Sequence, residues 1–414
     1  MASAQDDRQV RRRRVFYIPG YDPFPPRRYR ELYRSESAAQ AEISGYAISQ
    51  SAKAGDGAFG WTVSAEIDNA QVASEIEVLV WSDIVRDSMG VGILQTYWQL
   101  IRTAWIYISS GALRRLMWLR KGPVIAALYP VGMLVLQLCV ACLLGLLLCR
   151  LLAGGLASLG VWSWLTSGLG WLVGGAVIVF LMRWFKAQDG RLFAHYLMHD
   201  YAFTARWWGE NPPELEARME VFRQDIMVAL MADVDEVLVI GHSSGAHLAV
   251  SILADLIRER PAREQGPELS FLSLGQVVPM VSFLPKANRL RRDLHVLAGS
   301  DQLTWVDVTA PGDGCAFALC DPVAVSGVAP KAKRWPLVFS AAFTQSLSAE
   351  RWKALRWRFF RLHFQYLCAF DRPKDYDYFQ ITAGPMTLGA RYADRAPSKS
   401  RIDVAASPHV SMAA

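Results

Sequence analysis

The sequence predicts an α/β fold: a mostly parallel sheet with helices on both faces, interrupted in the chain by a two-helix transmembrane hairpin. Three observations carry this. Short β-rich apolar runs alternate with helical stretches, the pattern of parallel strands joined by crossover helices. Two long uncharged runs near the middle of the chain each exceed the roughly 20 residues a helix needs to cross a bilayer. One strong strand runs into Gly241-His242-Ser243-Ser244-Gly245, a strand-to-helix turn with glycine on both shoulders. The 414 residues are 52% hydrophobic and 20% charged. That composition excludes a disordered chain, and six Cys in this length exclude a small disulfide scaffold.

The elements follow in order. Residues 1–34 hold nine Arg against four acids. Residues 1–13 are expected to form a basic arm, with Arg11, Arg12, Arg13 and Arg14 facing anionic lipid headgroups. No secretory signal is expected, because the apolar stretch Val15–Ile18 is too short for one. Val15–Ile18 reads as a buried strand, and Pro19-Gly20 after it as a tight turn. A helix is expected over Arg27–Glu42, a hairpin of strands near Gly45–Ile48 and Phe59–Ile67, and a further strand over Ile76–Trp81. Residues 14–121 would be the first part of the α/β domain.

The next stretch is apolar. Val124 to Cys149 is 26 residues without a charge, and after Arg150 the run Leu151 to Met182 is uncharged too. The predicted hairpin covers 122–184 and turns near Arg150–Gly155. Arg102, Arg114, Arg115, Arg120 and Lys121 precede it, and Arg183, Lys186 and Arg191 follow. The excess of basic residues at the outer ends predicts that both ends, both termini and the α/β domain lie on the cytoplasmic side, and a bacterial inner membrane is the expected location. Cys139 and Cys142 fall inside the first run and are expected to pack there.

Residues 185–389 would complete the α/β domain. His195 and His199 share a helix face, and an interfacial helix explains them without a metal. A helix is expected over Pro213–Met231, the strongest strand over Glu236–Ile240, and an apolar helix over Ala246–Ile257. Strand-like runs recur at Phe271–Leu284, Leu303–Val308 and Pro336–Phe339, before a long helical stretch, Ala349–Phe370. Lys286, Arg289, Arg291 and Arg292 read as a solvated or membrane-facing surface. The Ala/Ser/Pro-rich segment 390–414 is expected to be disordered. No Walker A or dinucleotide glycine pattern occurs, so no cofactor, metal or nucleic-acid partner is expected.

Gly241-x-Ser243-x-Gly245, between a five-residue apolar strand and an apolar helix, matches a nucleophile elbow. A serine on so sharp a turn takes strained backbone angles, and the positions two before and two after it crowd one another. With this motif and its context, the chain resembles the α/β-hydrolase family over roughly residues 14–87 and 190–370, about 60% of its length. The resemblance implies a triad in the chain order serine, acid, histidine. Of the seven His, four follow Ser243. His247 lies in the elbow helix, His295 precedes the strand that should carry the acid, and His409 sits in the tail. His363 remains as the base. Asp313, between two glycines after the strand Leu303–Val308, is where the family's acid falls. Asp307 stands second and Asp321, a turn residue, third. The oxyanion donors implied are the amide of Ser244 and that of Tyr21 or Gly20.

The resemblance implies a membrane-anchored serine hydrolase of the esterase or lipase type, cleaving a lipid-like acyl ester through an acyl-enzyme. An acyl thioesterase or acyltransferase would use the same residues. A catalytically silent membrane scaffold or binding protein is the alternative from another class.

Overall fold

The computed structural model describes residues 9–53, 57–259 and 266–413. Two compact units make up the chain, and each is taken separately. The first comprises Met1–Asp87, Ile108–Pro123 and Trp207–Ala414.

Its centre is an eight-stranded sheet. In chain order the first half contributes β1 (Arg12–Ile18), α1 (Arg27–Ser44), β2 (Ala47–Ala52), β3 (Gly60–Ile67), β4 (Ala70–Val78) and α2 (Ser82–Met89). The second half contributes β5 (Glu236–His242), β6 (Glu268–Leu274), β7 (Thr304–Thr309) and β8 (Leu337–Ser340). The strand order is β2-β3-β4-β1-β5-β6-β7-β8. From β4 to β8 all neighbours are parallel, while β2, β3 and β4 form an antiparallel meander at one edge.

Side chains alternate between the two faces of a strand. Val15, Tyr17, Leu238, Ile240, Leu272, Leu274, Val306 and Val308 share one face and pack with Tyr29 and Tyr33 of α1 and with Phe379 and Ile381. The helix after β5, Gly245–Glu259, is buried along most of its length, as its apolar sequence requires. The central strands are buried on both sides and therefore read as continuous apolar runs.

Three expectations about this unit are overturned. Arg12, Arg13 and Arg14 belong to a strand, not to an arm; residues 1–8 of the expected arm lie outside the described residues. Arg13 is fully buried: its Nε meets Glu236 Oε2 at 2.5 Å, and its two Nη groups donate to the carbonyls of Gly384 and Met386. Arg14 pairs with Glu77 at 2.8 Å. Desolvation makes an unpaired buried guanidinium prohibitive, so the Arg13 charge serves the sheet, while Arg12 stays exposed beside Asp233.

One member of the second basic cluster is turned inward, while Lys286 is exposed and Arg289 and Arg292 are half-buried. Arg291 is buried and donates to the carbonyls of Ser282, Leu284, Pro285 and Ser411, and burial lowers its pKa to about 10. Arg289 pairs with Asp255 at 2.6 Å. The tail is ordered for the same kind of reason. Asp321 N donates to Ile402 O, Ala406 N to Val325 O, and Arg291 holds Ser411 O. Main-chain hydrogen bonds, together with Tyr392 packed against Phe339 in the core, hold the segment in place.

The second unit comprises Ser88–Tyr107 and Val124–Arg206. It contains α3 (Ile93–Ser109), then, after α4 (Ala112–Leu119), the long helices α5 (Lys121–Ser158) and α6 (Ser163–Ala187), with α7 (Asp189–Leu192) and α8 (Ala194–Ala205) beyond. Both α5 and α6 are long and apolar enough to cross a membrane. At 1.5 Å per residue they measure about 57 and about 38 Å. The turn between them falls at 159–162, not near Arg150, which is a residue of α5. Helix geometry tolerates a charge inside a long helix, so a single Arg does not mark a turn. The two helices touch at small residues. A Cβ on Gly145 would lie 2.7 Å from Gly174 O, and one on Gly170 would lie 2.8 Å from Cys149 O. Such close backbone approach is the usual way apolar helices pair where hydrophobic burial gives no drive.

Candidate functional site

The site is built at the ends of β5 and β6. At the end of β5 the chain turns on Ser243, whose φ of 56° lies in the left-handed region, rare and costly for a residue with a Cβ. Ser243 N donates to Leu274 O at 2.9 Å, tying the turn to the end of β6. Two glycines make it possible. A Cβ on Gly245 would lie 2.1 Å from Ile18 O, and one on Gly241 would lie 2.7 Å from the Ala246 Cα. Both distances are far inside contact, so no larger residue fits either shoulder.

The turn after β1 abuts the serine. A Cβ on Gly20 would stand 3.0 Å from Ser243 Cβ and 3.4 Å from its Oγ. Trp81 Nε1 donates to Pro19 O at 3.0 Å and the Trp81 ring meets Tyr21 edge-on, which holds this turn in place. The backbone amides of Gly20 and Ser244 donate to no acceptor among the described residues.

His363 and Asp313 come together from 50 residues apart. His363 Nδ1–H donates to Asp313 Oδ2 at 2.7 Å, with both side chains buried. Burial pushes the Asp313 carboxyl up, but the facing His363, its hydrogen bond, the Cys315 amide and the Tyr366 hydroxyl outweigh this and hold it below the usual carboxylate range. Tyr366 O–H donates to Asp313 Oδ2 at 3.1 Å and accepts from Ala310 N at 2.9 Å. Cys315 N donates to Asp313 Oδ1 at 2.9 Å. Every lone-pair direction that matters for orienting the carboxylate is taken.

His363 lies over the elbow. Its Cε1 would be 3.1 Å from a Cβ on Gly275, the residue after β6, and its ring stands 4.8 Å from that of His242. His242 Nε2–H donates to the His363 carbonyl at 3.0 Å, so its Nδ1 accepts from Tyr17 O–H at 3.3 Å. Burial and then the neighbouring His363 drive the His242 pKa down to about 3, which keeps it neutral in this role. His363 Nε2 is buried and has no hydrogen-bond partner among the described residues, so it makes no bond to Ser243 Oγ. Catalytic hydrogen bonds are often long before substrate arrives.

The expected long helix 349–370 is broken into Ala349–Leu355, Phe359–His363 and a 3₁₀ turn, Gln365–Leu367. His363 is thus the last residue of a short helix, not a mid-helix side chain. Asp307 is apart from it: its Oδ1 accepts from Ser273 Oγ at 2.5 Å on the neighbouring strand. Burial pushes its carboxyl up to about 8. Asp321 caps the helix Pro322–Val325 and pairs with Lys333. His242 and Tyr366 escaped the sequence reading. The one available signal for Tyr366 was its place three residues after His363, one helical turn away.

The folded-state pKa of Asp307 lies above the unfolded value of about 4. The stability Asp307 contributes therefore falls as pH rises from about 4 to about 8, where the unfolded chain releases a proton that the folded one keeps. Asp307→Asn removes that loss. Denaturant melts across this window should show the variant gaining on wild type as pH rises; a constant difference would refute the assignment.

Asp313, Cys315 and His363 each offer a ligand atom, and these lie within 4.8 Å of one another. Within this group Asp313 Oδ2 accepts from His363 Nδ1–H and Asp313 Oδ1 accepts from the Cys315 amide. In the second unit, His199 Nδ1 donates to Gln99 Oε1 at 2.8 Å, and neither His195 nor His199 belongs to such a group among the described residues. Comparison with family models, with curated proteins and with solved structures yields no match for this chain.

Proposed function

We propose that the chain is a membrane-anchored serine hydrolase that cleaves a carboxylic, lipid-like acyl ester. The observation that carries the reading is the strained Ser243 turn with the buried His363–Asp313 pair over the same strand ends. In this mechanism Ser243 Oγ attacks the carbonyl carbon while His363 Nε2 accepts the hydroxyl proton. Asp313 holds Nδ1–H and stabilises the imidazolium. The carbonyl oxygen becomes an oxyanion held by the amides of Ser244 and of Gly20 or Tyr21. The tetrahedral adduct collapses, the ester C–O bond breaks, and His363 returns the proton to the leaving alkoxide. Water, deprotonated by the same imidazole, then releases the acid and frees Ser243. A thioester, or transfer of the acyl group to an acceptor other than water, would follow the same course.

An apolar acyl chain is favoured by the aromatic rim. Phe364 follows His363 directly, Arg28 lies between the rings of Phe24 and Phe364, and Phe359 contacts Gly314 beside Asp313. Anchoring rests on α5 and α6. Gly20 and Ser243 flank the hairpin in sequence and touch one another, which suits two crossings, an even number. A catalytically silent scaffold is the second reading, favoured by the missing Ser243–His363 bond.

Hydrolysis of chromogenic acyl esters of graded chain length by the reconstituted protein separates the two. The hydrolase reading expects turnover in wild type that falls by roughly ten-thousandfold or more in Ser243→Ala. Equal rates in the two proteins, or no turnover by folded wild type on any chain length, would favour the scaffold.

A further inference from the structure

Helix α3 wears its apolar face outward. Leu94, Trp98, Ile101, Trp105 and Ile108 follow one another at spacings of four, three, four and three, so they stand on one side of the helix. They are 88%, 63%, 58%, 65% and 62% exposed. The buried residues of the same helix include Thr96, Thr103 and Tyr107. A water-facing helix shows the opposite pattern, and an exposed apolar stripe of this size marks an interaction surface.

Contacts within the second unit fix the level of this helix. Gly145 of α5 lies against Gly174 of α6, and Cys149 against Gly170. Carried along the pair, that register sets Leu134 level with Phe185, in the last turn of α6. Tyr97 O–H of α3 donates to Leu134 O at 2.7 Å, and Lys186 Nζ donates to Val91 O, just before α3, at 2.7 Å. The stripe therefore begins at the level where α6 ends, while the uncharged run of α5 continues to Val124. Amphipathic Trp rings favour that boundary, and Trp184 stands there as well. Charge at this end is mostly basic: Arg102, Arg183, Lys186, Arg191 and Arg206 against Asp189 and Asp200. Asp189 is occupied in accepting from the His195 and Tyr196 amides.

We propose that α3 lies in the plane of the membrane surface, with its stripe at the boundary between headgroups and acyl chains of an anionic bilayer. Such a helix has apolar residues, Trp above all, on one side and basic residues available to lipid phosphate on the other. The proposal rests on reading α5 and α6 as membrane spans, and its test distinguishes the two claims.

The full chain is reconstituted in vesicles of phosphatidylcholine containing a quarter phosphatidylglycerol, with a trace of either lipid bearing a diazirine, then irradiated and mapped by mass spectrometry. Adducts are expected on Leu94, Trp98, Ile101 and Trp105 and not on Thr96 or Thr103, with phosphatidylglycerol labelling α3 more heavily than phosphatidylcholine. In the Trp98→Glu, Trp105→Glu double variant, labelling of α3 should fall by about tenfold while that of α5 and α6 stays constant, which reports intact insertion. Labelled α5 and α6 with a bare α3 would overturn the proposal alone. Cross-links between α3 of two copies in place of lipid adducts would also overturn it. Absence of labelling on all three helices would overturn the membrane-span reading with it. Equal labelling by the two lipids would overturn its anionic preference.

Discussion

Asp313→Asn should reduce ester turnover by about ten-thousandfold with little change in KM, because an amide in place of a triad carboxylate presents the wrong hydrogen-bonding partner to the histidine. The carboxylate is held by three donors, His363 Nδ1–H, the Tyr366 hydroxyl and, through its other oxygen, the Cys315 amide, with Ala310 N fixing the Tyr366 oxygen in turn. An Asn side chain would point its NH₂ at one of them and leave His363 free to take the other tautomer. Asp307→Asn is the matched control. Its carboxyl bonds Ser273 and has no contact with His363, so turnover should stay near wild type. Initial rates for both variants decide the assignment, and a larger loss in Asp307→Asn would reverse it.

Gly245→Ala should destabilise the first unit by at least about 3 kcal/mol, in the range of severe overpacking. The added methyl would stand 2.1 Å from Ile18 O and 2.7 Å from Pro19 O. Both are backbone atoms of the strand end that supports the Gly20 turn, and no side chain can rotate away to make room. Either β1 shifts or the elbow helix does, and each breaks the alignment of Ser243 with the turn. Gly175→Ala in α6, where nothing lies within 4 Å, is the neutral comparison. Equal denaturation midpoints for these two variants would show that the elbow is not held by that contact.

The strands were legible because the central ones are buried on both sides and carry short runs of β-branched, aromatic and other apolar residues. Glu236–Ile240 and Leu303–Val308 lie within a residue or two of β5 and β7. Glycine on both sides of Ser243 signalled the turn, since crowding there is local in sequence. Charge was read poorly. Arg13 and Glu236 are 223 residues apart, so nothing in Arg11–Arg14 distinguishes a buried ion pair from a solvated run. The ordered tail was hidden for a related reason: its partners meet main-chain groups, which every residue carries. His242 and Tyr366 act on His363 and Asp313 through contacts that only the folded chain creates. The inverted helix α3 was open to view as a spacing of Leu, Trp and Ile, but periodicity alone does not say which face turns inward.

The central claim is that Ser243 is an activated nucleophile. The most direct measurement is covalent labelling of the reconstituted protein with a fluorophosphonate, followed by mapping of the modified peptide. The account predicts one phosphonylated residue, Ser243, with labelling abolished in Ser243→Ala and strongly slowed in His363→Ala. Wild-type protein that inserts and folds yet remains unlabelled, or that is labelled at another residue, would contradict it.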